Sequence, residues 1–259
     1  MGKAISGKAI REMRERERKA HRLEKRIKVG TRLTHLNYLI VCEGEQTEPN
    51  YFKALVKGRN AHVLTAVVAG EGASTKSLID IALKQRSSSD IHFDVVWAVF
   101  DKDEFRDFNE AIAYAVSNGV NPAWSNESFE LWYYLHFQFL DTQNSRQQYI
   151  EMLAREIRKV YPEFEYQKND KGMYELLQRI GNQEQAIKNA KALEARYEDE
   201  DYASHKPCTT VYKLVEELNK PEEVIARLNR EKRPQVAKMS PKIDMQKELT
   251  AENQQVSSF

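Results

Sequence analysis

Two mainly apolar runs, residues 36–42, with Asn37 as their one polar residue, and residues 95–100, are each followed at once by acidic residues. Neither run alternates apolar with polar side chains, and runs of this length are typical of strands that are covered on both faces. Helix patterns with short connections follow both runs, which predicts βαβ units and a mainly parallel sheet. Ligands of such open sheets bind beyond the carboxyl ends of the strands. The two acidic clusters are therefore expected to lie close together in the folded chain.

The periodicity predicts four strands with helices between them, followed by a chain that is almost wholly helical. The predicted strands span residues 36–42, 62–69, 95–100 and 121–124. The intervening helices span 48–57, with Thr47 as N-cap, then 75–85 and 105–117. Further helices are predicted over 127–139, 146–160, 172–180, 183–197, 208–218 and 221–230. A polar tail follows residue 232.

The acidic residues at the two strand ends favour a metal site. Glu43 and Gly44 follow the first strand, and Asp101 and Asp103 follow the third. Magnesium prefers oxygen ligands and usually takes one or two carboxylates, with water and phosphate oxygens in its remaining positions. Two such ions can clamp the attacking and leaving oxygens of a phosphodiester. The pattern therefore indicates phosphodiester chemistry assisted by Mg²⁺ or Mn²⁺.

Each of these residues also has a simpler explanation. One aspartate could cap the following helix, but a cap uses one residue, and this junction has three acids in four positions. Glu43 could be an ordinary loop carboxylate, and Gly44 could serve only a backbone conformation with positive φ. A lone Glu-Gly pair is weak evidence for a site, and the second acidic strand end strengthens it.

The charge of the chain is unevenly distributed. Residues 1–35 contain twelve Lys or Arg against four Glu, a net charge of +8, whereas the whole chain carries +1. A basic arm can bind nucleic acid by neutralising phosphates, with an affinity that falls as salt rises. The candidate contacts are Arg14, Arg18, Arg22 and Arg26. A solvated helix with i,i+4 pairs, such as Glu12 with Arg16, explains the same charges without a ligand.

Several classes of protein are excluded or disfavoured. No apolar run is long enough to span a bilayer, and the N-terminus lacks the apolar core of a signal peptide. The two cysteines, Cys42 and Cys208, suggest neither a disulfide framework nor a zinc site. We therefore expect a cytoplasmic protein that does not bind membranes.

Three segments resemble the signature blocks of the RloB family: VCEGEQTEPNYF at 41–52, FDKDEF at 100–105 and SNESFELWYYLHF at 125–137. The resemblance extends from about residue 36 to about residue 211. Members of that family are encoded with restriction-modification or abortive-infection loci, often beside an ATPase. Their catalytic core is similar to the Toprim fold of topoisomerases, bacterial primases and the overcoming-lysogenisation-defect nucleases. The resemblance thus implies a Toprim-like α/β fold.

The resemblance also implies roles for individual residues. The Toprim signature is a Glu-Gly at the end of the first strand and an Asp-x-Asp at the end of a later one. Carried over, Glu43 is a metal ligand or a general acid–base group, and Asp101 and Asp103 bind magnesium. Glu48 supplies a second acid about one helical turn later, although its spacing departs by one residue from those nucleases. Glu130 supplies the third acidic element.

Roles for several further positions follow from the residues alone. Glu130 lies in an apolar helix, where it either pairs with a Lys or Arg or faces the metal crevice. A phosphoryl-transfer site needs positive groups, and Lys76 and Lys206 are the candidate catalytic lysines. Lys102 is expected to point away from its neighbouring aspartates. His136 is expected to be a core histidine that is hydrogen-bonded to backbone, and the nearby aromatic residues are expected to be packing groups.

Together, these observations predict a magnesium-dependent endonuclease that acts on DNA or RNA, transfer RNA included, as an effector of antiphage defence. Control by an ABC- or AAA-type ATPase encoded nearby follows from the family context, since this chain has no Walker motif. The alternative is a non-catalytic regulatory subunit that binds metal or nucleic acid. A homodimer is compatible with the tail and the helical extension.

The predicted regions are a basic helical arm (1–32), a Toprim-like α/β catalytic domain (33–140), a helical extension packed on the core (141–232) and a polar tail (233–259).

Overall fold

The computed structural model describes residues 32–59, 64–72, 75–102 and 107–239. Asp103 and the arm with Arg14, Arg18, Arg22 and Arg26 lie outside the described residues. The chain divides into two compact units, and the larger one is Thr34–Ile225. In the smaller unit, Asn229 bonds both backbone polar groups of Leu33, at 2.8 and 3.0 Å. The finer domain boundaries predicted from the sequence stay predictions.

A five-stranded sheet forms the centre of the larger unit, with strand order β2-β1-β3-β4-β5. Its strands are β1 (Leu36–Cys42), β2 (Leu64–Gly70), β3 (Val95–Asp101), β4 (Asn121–Asn126) and β5 (Cys208–Thr209). The first four are parallel, and β5 pairs antiparallel with β4. Strand β3 is buried at every residue and β1 at every residue except Asn37, as their mainly apolar runs predicted. The α/β class with a mainly parallel sheet is thereby confirmed.

Helices flank the sheet and form the C-terminal part of the chain. They are α1 (Thr47–Lys57), α2 (Thr75–Ser88), α3 (Phe108–Ser117), α4 (Glu130–Tyr134), α5 (Arg146–Arg158), α6 (Met173–Ile180), α7 (Gln183–Glu194), α8 (Val211–Asn219) and α9 (Pro221–Met239). A 3₁₀ turn spans Tyr202–Ser204. No helix in the described part of the chain is long and apolar enough to cross a membrane.

Two clusters of buried side chains hold these layers together. Leu39 and Val41 of β1 and Phe100 of β3 belong to an apolar cluster that includes residues of α2 and α3. A second cluster is aromatic and is centred on Tyr51 of α1. The rings of Phe52, Phe129, Trp132, Tyr133 and Tyr174 lie 5.2 to 6.5 Å from its ring. Trp132, Tyr133 and Tyr134 are buried packing groups, as the sequence predicted. The same prediction is wrong for Phe139, which is 46% exposed.

The helix predicted over 127–139 is wrong in length, because only α4 (Glu130–Tyr134) is helical. The carbonyls that would continue this helix instead accept hydrogen bonds from residues distant in sequence. Asn189 donates its amide to the carbonyl of Leu135 at 2.9 Å, and the backbone N–H of Asn182 donates to that of His136 at 2.9 Å. The chain tightens after Tyr134 and leaves the helical path.

Several other boundaries differ from the sequence prediction, among them the end of β4 at Asn126 instead of residue 124 and the end of α7 at Glu194 instead of residue 197. The segment predicted as a helix over 208–218 begins with β5, because Cys208 and Thr209 pair with the edge of β4. The helix predicted over 221–230 continues to residue 239, into the segment predicted as tail. The N-cap residue of α1 is Gln46 and not Thr47, which is the first helical residue. The Thr47 hydroxyl donates to the carbonyl of Lys168 at 3.1 Å.

Candidate metal-binding cleft

A cleft of about 290 Å³ opens at the carboxyl ends of β1 and β3. The two strand ends are in register, and the backbone N–H of Glu43 donates to the carbonyl of Val99 at 2.8 Å. Five acidic side chains line the cleft, namely Glu43, Glu45, Glu48, Asp101 and Glu130. Two basic side chains, Arg146 and Lys168, complete its charged lining. The structure thus brings together four of the predicted acids, which are up to 87 residues apart in sequence.

Asp101 is an acid of the cleft whose pKa is strongly shifted. It is the last residue of β3 and is 8% exposed. Burial raises the pKa of its carboxyl well above the usual range, and repulsion from Glu48 and Glu130 raises it further. Arg146 opposes this effect, with a guanidinium nitrogen 3.1 Å from Asp101 Oδ2. The backbone N–H of Asp101 donates to Glu43 Oε2 at 3.1 Å, so the two predicted metal ligands are adjacent.

Glu48 lies in the first turn of α1 and is 6% exposed. Burial and repulsion from Glu130 raise its pKa, whereas Lys168 and Arg146 lower it. The side chain passes close to Gly44, where an added Cβ would lie 2.3 Å from Glu48 Oε2. Gly44 does not have a positive φ, so this glycine is required by close approach and not by backbone conformation.

Glu130 faces the cleft and is 2% exposed. Its Oε1 accepts a hydrogen bond from the Tyr166 hydroxyl at 2.8 Å. The sequence left open whether Glu130 pairs with a Lys or Arg or faces the crevice. In the structure it faces the crevice, and its hydrogen-bond donor is a tyrosine. The carboxylate and burial raise the pKa of Tyr166, which keeps this hydroxyl protonated as a donor.

The two candidate lysines do not line the cleft. Lys76 is exposed, and its Nζ lies 6.0 Å from the ring centroid of Tyr114. Lys206 forms an ion pair with Glu127. The other carboxylate oxygen of Glu127 accepts the backbone N–H of Arg146 at 3.2 Å. Lys206 is therefore connected to the cleft through Glu127, and the catalytic roles of both lysines stay predictions.

Lys102 and His136 do not line the cleft either. Lys102 lies with its Nζ 5.8 Å from the Phe108 ring centroid. His136 is buried, and its Nδ1 lies 3.0 Å from the Trp132 carbonyl oxygen, as predicted for a core histidine. Burial lowers the pKa of His136 to about 4, so the ring is neutral near pH 7.

Sequence reasoning missed both cations of the cleft. One signal for Arg146 was available, because Ser145 and Gln148 form a capping box that marks the start of α5. A basic residue in the first turn opposes the helix dipole, which favours acids there. This unfavourable placement suggested a role outside the helix. Lys168 lies in the loop before α6, and no pattern distinguishes it from its neighbours.

The donor chemistry of the cleft fits magnesium. Among the described residues, no three His, Cys, Asp or Glu side chains form a ready-made metal cage. Magnesium does not require one, since it usually binds one or two carboxylates and keeps several waters. Glu43 and Asp101 are adjacent, and the pKa of Asp101 is raised by burial and then by its acidic neighbours, so a divalent cation would favour its ionised form. The residues therefore fit a hydrated ion held by one or two carboxylates.

The fold and the cleft define an α/β protein with an acidic site at the carboxyl edge of a parallel sheet. The chain belongs to the RloB-like protein family, because the model of that family matches residues 38–218. This match confirms the resemblance carried by the three sequence segments. No curated protein and no solved structure matches the chain.

Proposed function

We propose that this protein is a magnesium- or manganese-dependent endonuclease that hydrolyses phosphodiester bonds of DNA or RNA. The observation that carries the proposal is the convergence of Glu43, Glu48, Asp101 and Glu130 in one cleft. Burial and repulsion among these carboxylates raise the pKa of Asp101, so the ionised cluster is costly to the fold, and strongly shifted pKa values of this kind are typical of functional sites. A divalent cation with a phosphodiester substrate accounts for that arrangement.

In the proposed mechanism, Glu43 and Asp101 would hold the metal ion, together with Asp103, which lies outside the described residues. A bound magnesium ion would stabilise charge on the phosphoryl oxygens and lower the pKa of its water. Glu48 is the proposed general acid–base group, since burial raises its pKa toward the range in which a carboxyl can exchange protons. Glu130 is fixed by Tyr166 and maintains the negative potential of the cleft.

The proposed biological role is that of an effector in antiphage defence, controlled by an ATPase partner encoded nearby. Membership of the RloB-like family supports this role through the loci in which such proteins are found. The basic arm, with Arg14, Arg18, Arg22 and Arg26, is proposed to contribute nucleic-acid contacts.

A regulatory subunit without catalytic activity is the second candidate, and one observation favours it. Arg146 pairs with Asp101, so the central carboxylate already has a cationic partner inside the protein. A cleft of this kind could bind a metal ion or the basic surface of a partner without catalysing a reaction.

Cleavage assays separate the two candidates. The full chain, with and without the neighbouring ATPase, is incubated with supercoiled plasmid and total transfer RNA in magnesium or manganese. We expect cleavage that is lost in EDTA and falls roughly 100-fold or more in Asp101→Asn, because the metal ligand is lost. Glu110→Gln, an exposed position on α3, is the matched control and should cleave normally.

Thermal unfolding and manganese binding are measured on the same proteins. No cleavage by the wild type, with manganese binding retained, would favour the regulatory subunit. Wild-type cleavage rates in Asp101→Asn would place the active site elsewhere.

A further inference from the structure

Two basic side chains face the acids of the cleft, although neither was expected from the sequence. The lining contains five carboxylates against Arg146 and Lys168. Like charges within a few ångströms repel more strongly in a partly buried cleft than in water, because the effective dielectric is lower there. A phosphodiester could therefore approach these acids only if cations offset its charge. A metal ion at Asp101 would supply part of that charge, and protein cations in the cleft can supply more of it.

Arg146 is held in place from both its backbone and its side chain. It is the first residue of α5, whose start is fixed by the Ser145–Gln148 capping box. Its backbone N–H donates to Glu127, and its guanidinium contacts Asp101 at 3.1 Å. The side chain is still 34% exposed. A guanidinium has five N–H donors in a planar fork that matches phosphate oxygens, so one group can contact Asp101 and then a phosphate.

Lys168 is positioned by the loop that carries it. The carbonyl of Lys168 accepts a hydrogen bond from the Thr47 hydroxyl at 3.1 Å, and the carbonyl of Asn169 accepts one from the Asn50 amide at 3.4 Å. Both donors belong to the first turn of α1. The loop is thus tied to the helix that carries Glu48, and the charge of Lys168 acts on that carboxyl. Lys168 and Arg146 therefore act on the same group of acids from different elements.

We propose that Arg146 and Lys168 bind the phosphate of the nucleic-acid strand in this cleft, and that Arg146 exchanges Asp101 for that phosphate when a divalent cation binds the carboxylate. This inference rests on the proposed function, because it takes a phosphodiester as the ligand. Lys206 has an indirect part, since Glu127 connects it to the backbone of Arg146. Arg146 and Lys168 thus become the phosphate-binding cations of the cleft.

Salt-dependent binding tests the phosphate contacts. The full chain binds a fluorescent single-stranded 20-mer, as DNA and as RNA, in calcium under conditions where the strand stays intact. Each phosphate contact contributes about 0.7 to the slope of log K against log salt. We expect Arg146→Gln and Lys168→Gln each to reduce the slope by about that amount. Arg155→Gln and Lys171→Gln, exposed positions on α5 and in the same loop as Lys168, should leave it unchanged.

Manganese titration without nucleic acid tests the exchange at Asp101. Arg146→Gln removes the cation that competes for this carboxylate, so manganese should bind several-fold more tightly than in the wild type. Arg155→Gln should bind it as the wild type does. Arg146→Lys keeps the charge and should restore most of the salt slope, which separates a phosphate contact from a folding defect.

The outcomes separate this inference from the proposed function. Unchanged slopes in both glutamine variants, with manganese affinity also unchanged in Arg146→Gln, would make Arg146 a structural counter-ion only and overturn the inference, even if the wild type is a nuclease. If the two glutamine variants have reduced slopes but the wild type cleaves no substrate, the result would support phosphate binding and reject the nuclease.

Discussion

The ionised carboxylate of Asp101 lowers the stability of the fold, while the same group is the proposed metal ligand of the cleft. Its carboxyl is buried at the end of β3 among other acids, and its raised pKa means that ionisation is less favourable in the folded than in the unfolded chain. Arg146 compensates only in part. Sites of this kind commonly lower stability in exchange for function. Removing the charge should therefore stabilise the metal-free protein.

Asp101→Asn is predicted to raise the melting temperature of the metal-free protein at pH 7.5 by roughly 2–4 °C, the shift that about 1 kcal/mol causes in a domain of this size. A group with a raised native pKa contributes its full stability below its unfolded pKa and loses it as pH rises through the native pKa. The advantage of the variant should consequently grow from about pH 4 upward. Calorimetry at several pH values in EDTA measures it.

Manganese provides the internal control for this prediction. The ion should raise the melting temperature of the wild type and have little effect on Asp101→Asn, since binding to the native state alone stabilises it. A variant that melts below the wild type at pH 7.5 would show that the pair with Arg146 outweighs the cost of burial.

At the scale of elements, the start of α5 connects helix stability to the cleft. The Ser145 hydroxyl accepts the backbone N–H of Gln148 at 3.3 Å, and the Gln148 side chain accepts the N–H of Ser145 at 2.7 Å. This reciprocal pair satisfies two N–H groups and fixes the first turn, where Arg146 lies. Helix α7 begins in a similar way, with Asn182 accepting the N–H of Gln185 at 2.9 Å, but it carries no residue that lines the cleft.

Ser145→Ala and Asn182→Ala are predicted to have similar effects on stability and different effects on binding. Each should lower the free energy of unfolding by about 1 kcal/mol, the usual effect of removing a helix cap. Only Ser145→Ala should weaken binding of the single-stranded 20-mer, because only α5 positions Arg146. Urea denaturation and fluorescence titration of both variants check this. Equal binding losses would mean that the effect arises from general destabilisation.

At the scale of the whole molecule, the reactivity of the two cysteine thiols can measure how the unit Thr34–Ile225 unfolds. Cys42 ends β1 and Cys208 begins β5, and both are fully buried. Burial raises the pKa of Cys208 to about 12 and that of Cys42 well above its usual range. The thiolate is the reactive form, so both thiols should be inert in the native state. Their reaction requires an opening of the surrounding structure.

We predict that both thiols react with a disulfide reagent at rates set by the same opening free energy. Cys42→Ala and Cys208→Ala variants let each remaining thiol be followed alone, and urea denaturation of each variant corrects for its own stability. Equal opening free energies are the result expected if residues 34–225 unfold together. Faster reaction at Cys208 would instead indicate that the segment after residue 140 opens by itself, as the predicted domain boundary implies.

The first four strands, their parallel direction and the acidic strand ends could be predicted from local sequence. Mainly apolar runs require cover on both faces, and Glu43 and Asp101 follow these runs. A parallel sheet then brings the strand ends to one edge, so the convergence of these acids could be predicted.

The tertiary structure alone decided the cations of the cleft and the boundaries that depend on distant partners. Arg146 lies 45 residues from Asp101 in sequence, and the early end of α4 depends on Asn182 and Asn189. Strand β5 forms only because the edge of β4 is available to it. Periodicity describes which face of one segment is apolar. It does not tell which distant side chain will pair with a charge or donate a hydrogen bond to a carbonyl of that segment. Such partners are set by contacts that form only when the chain is packed.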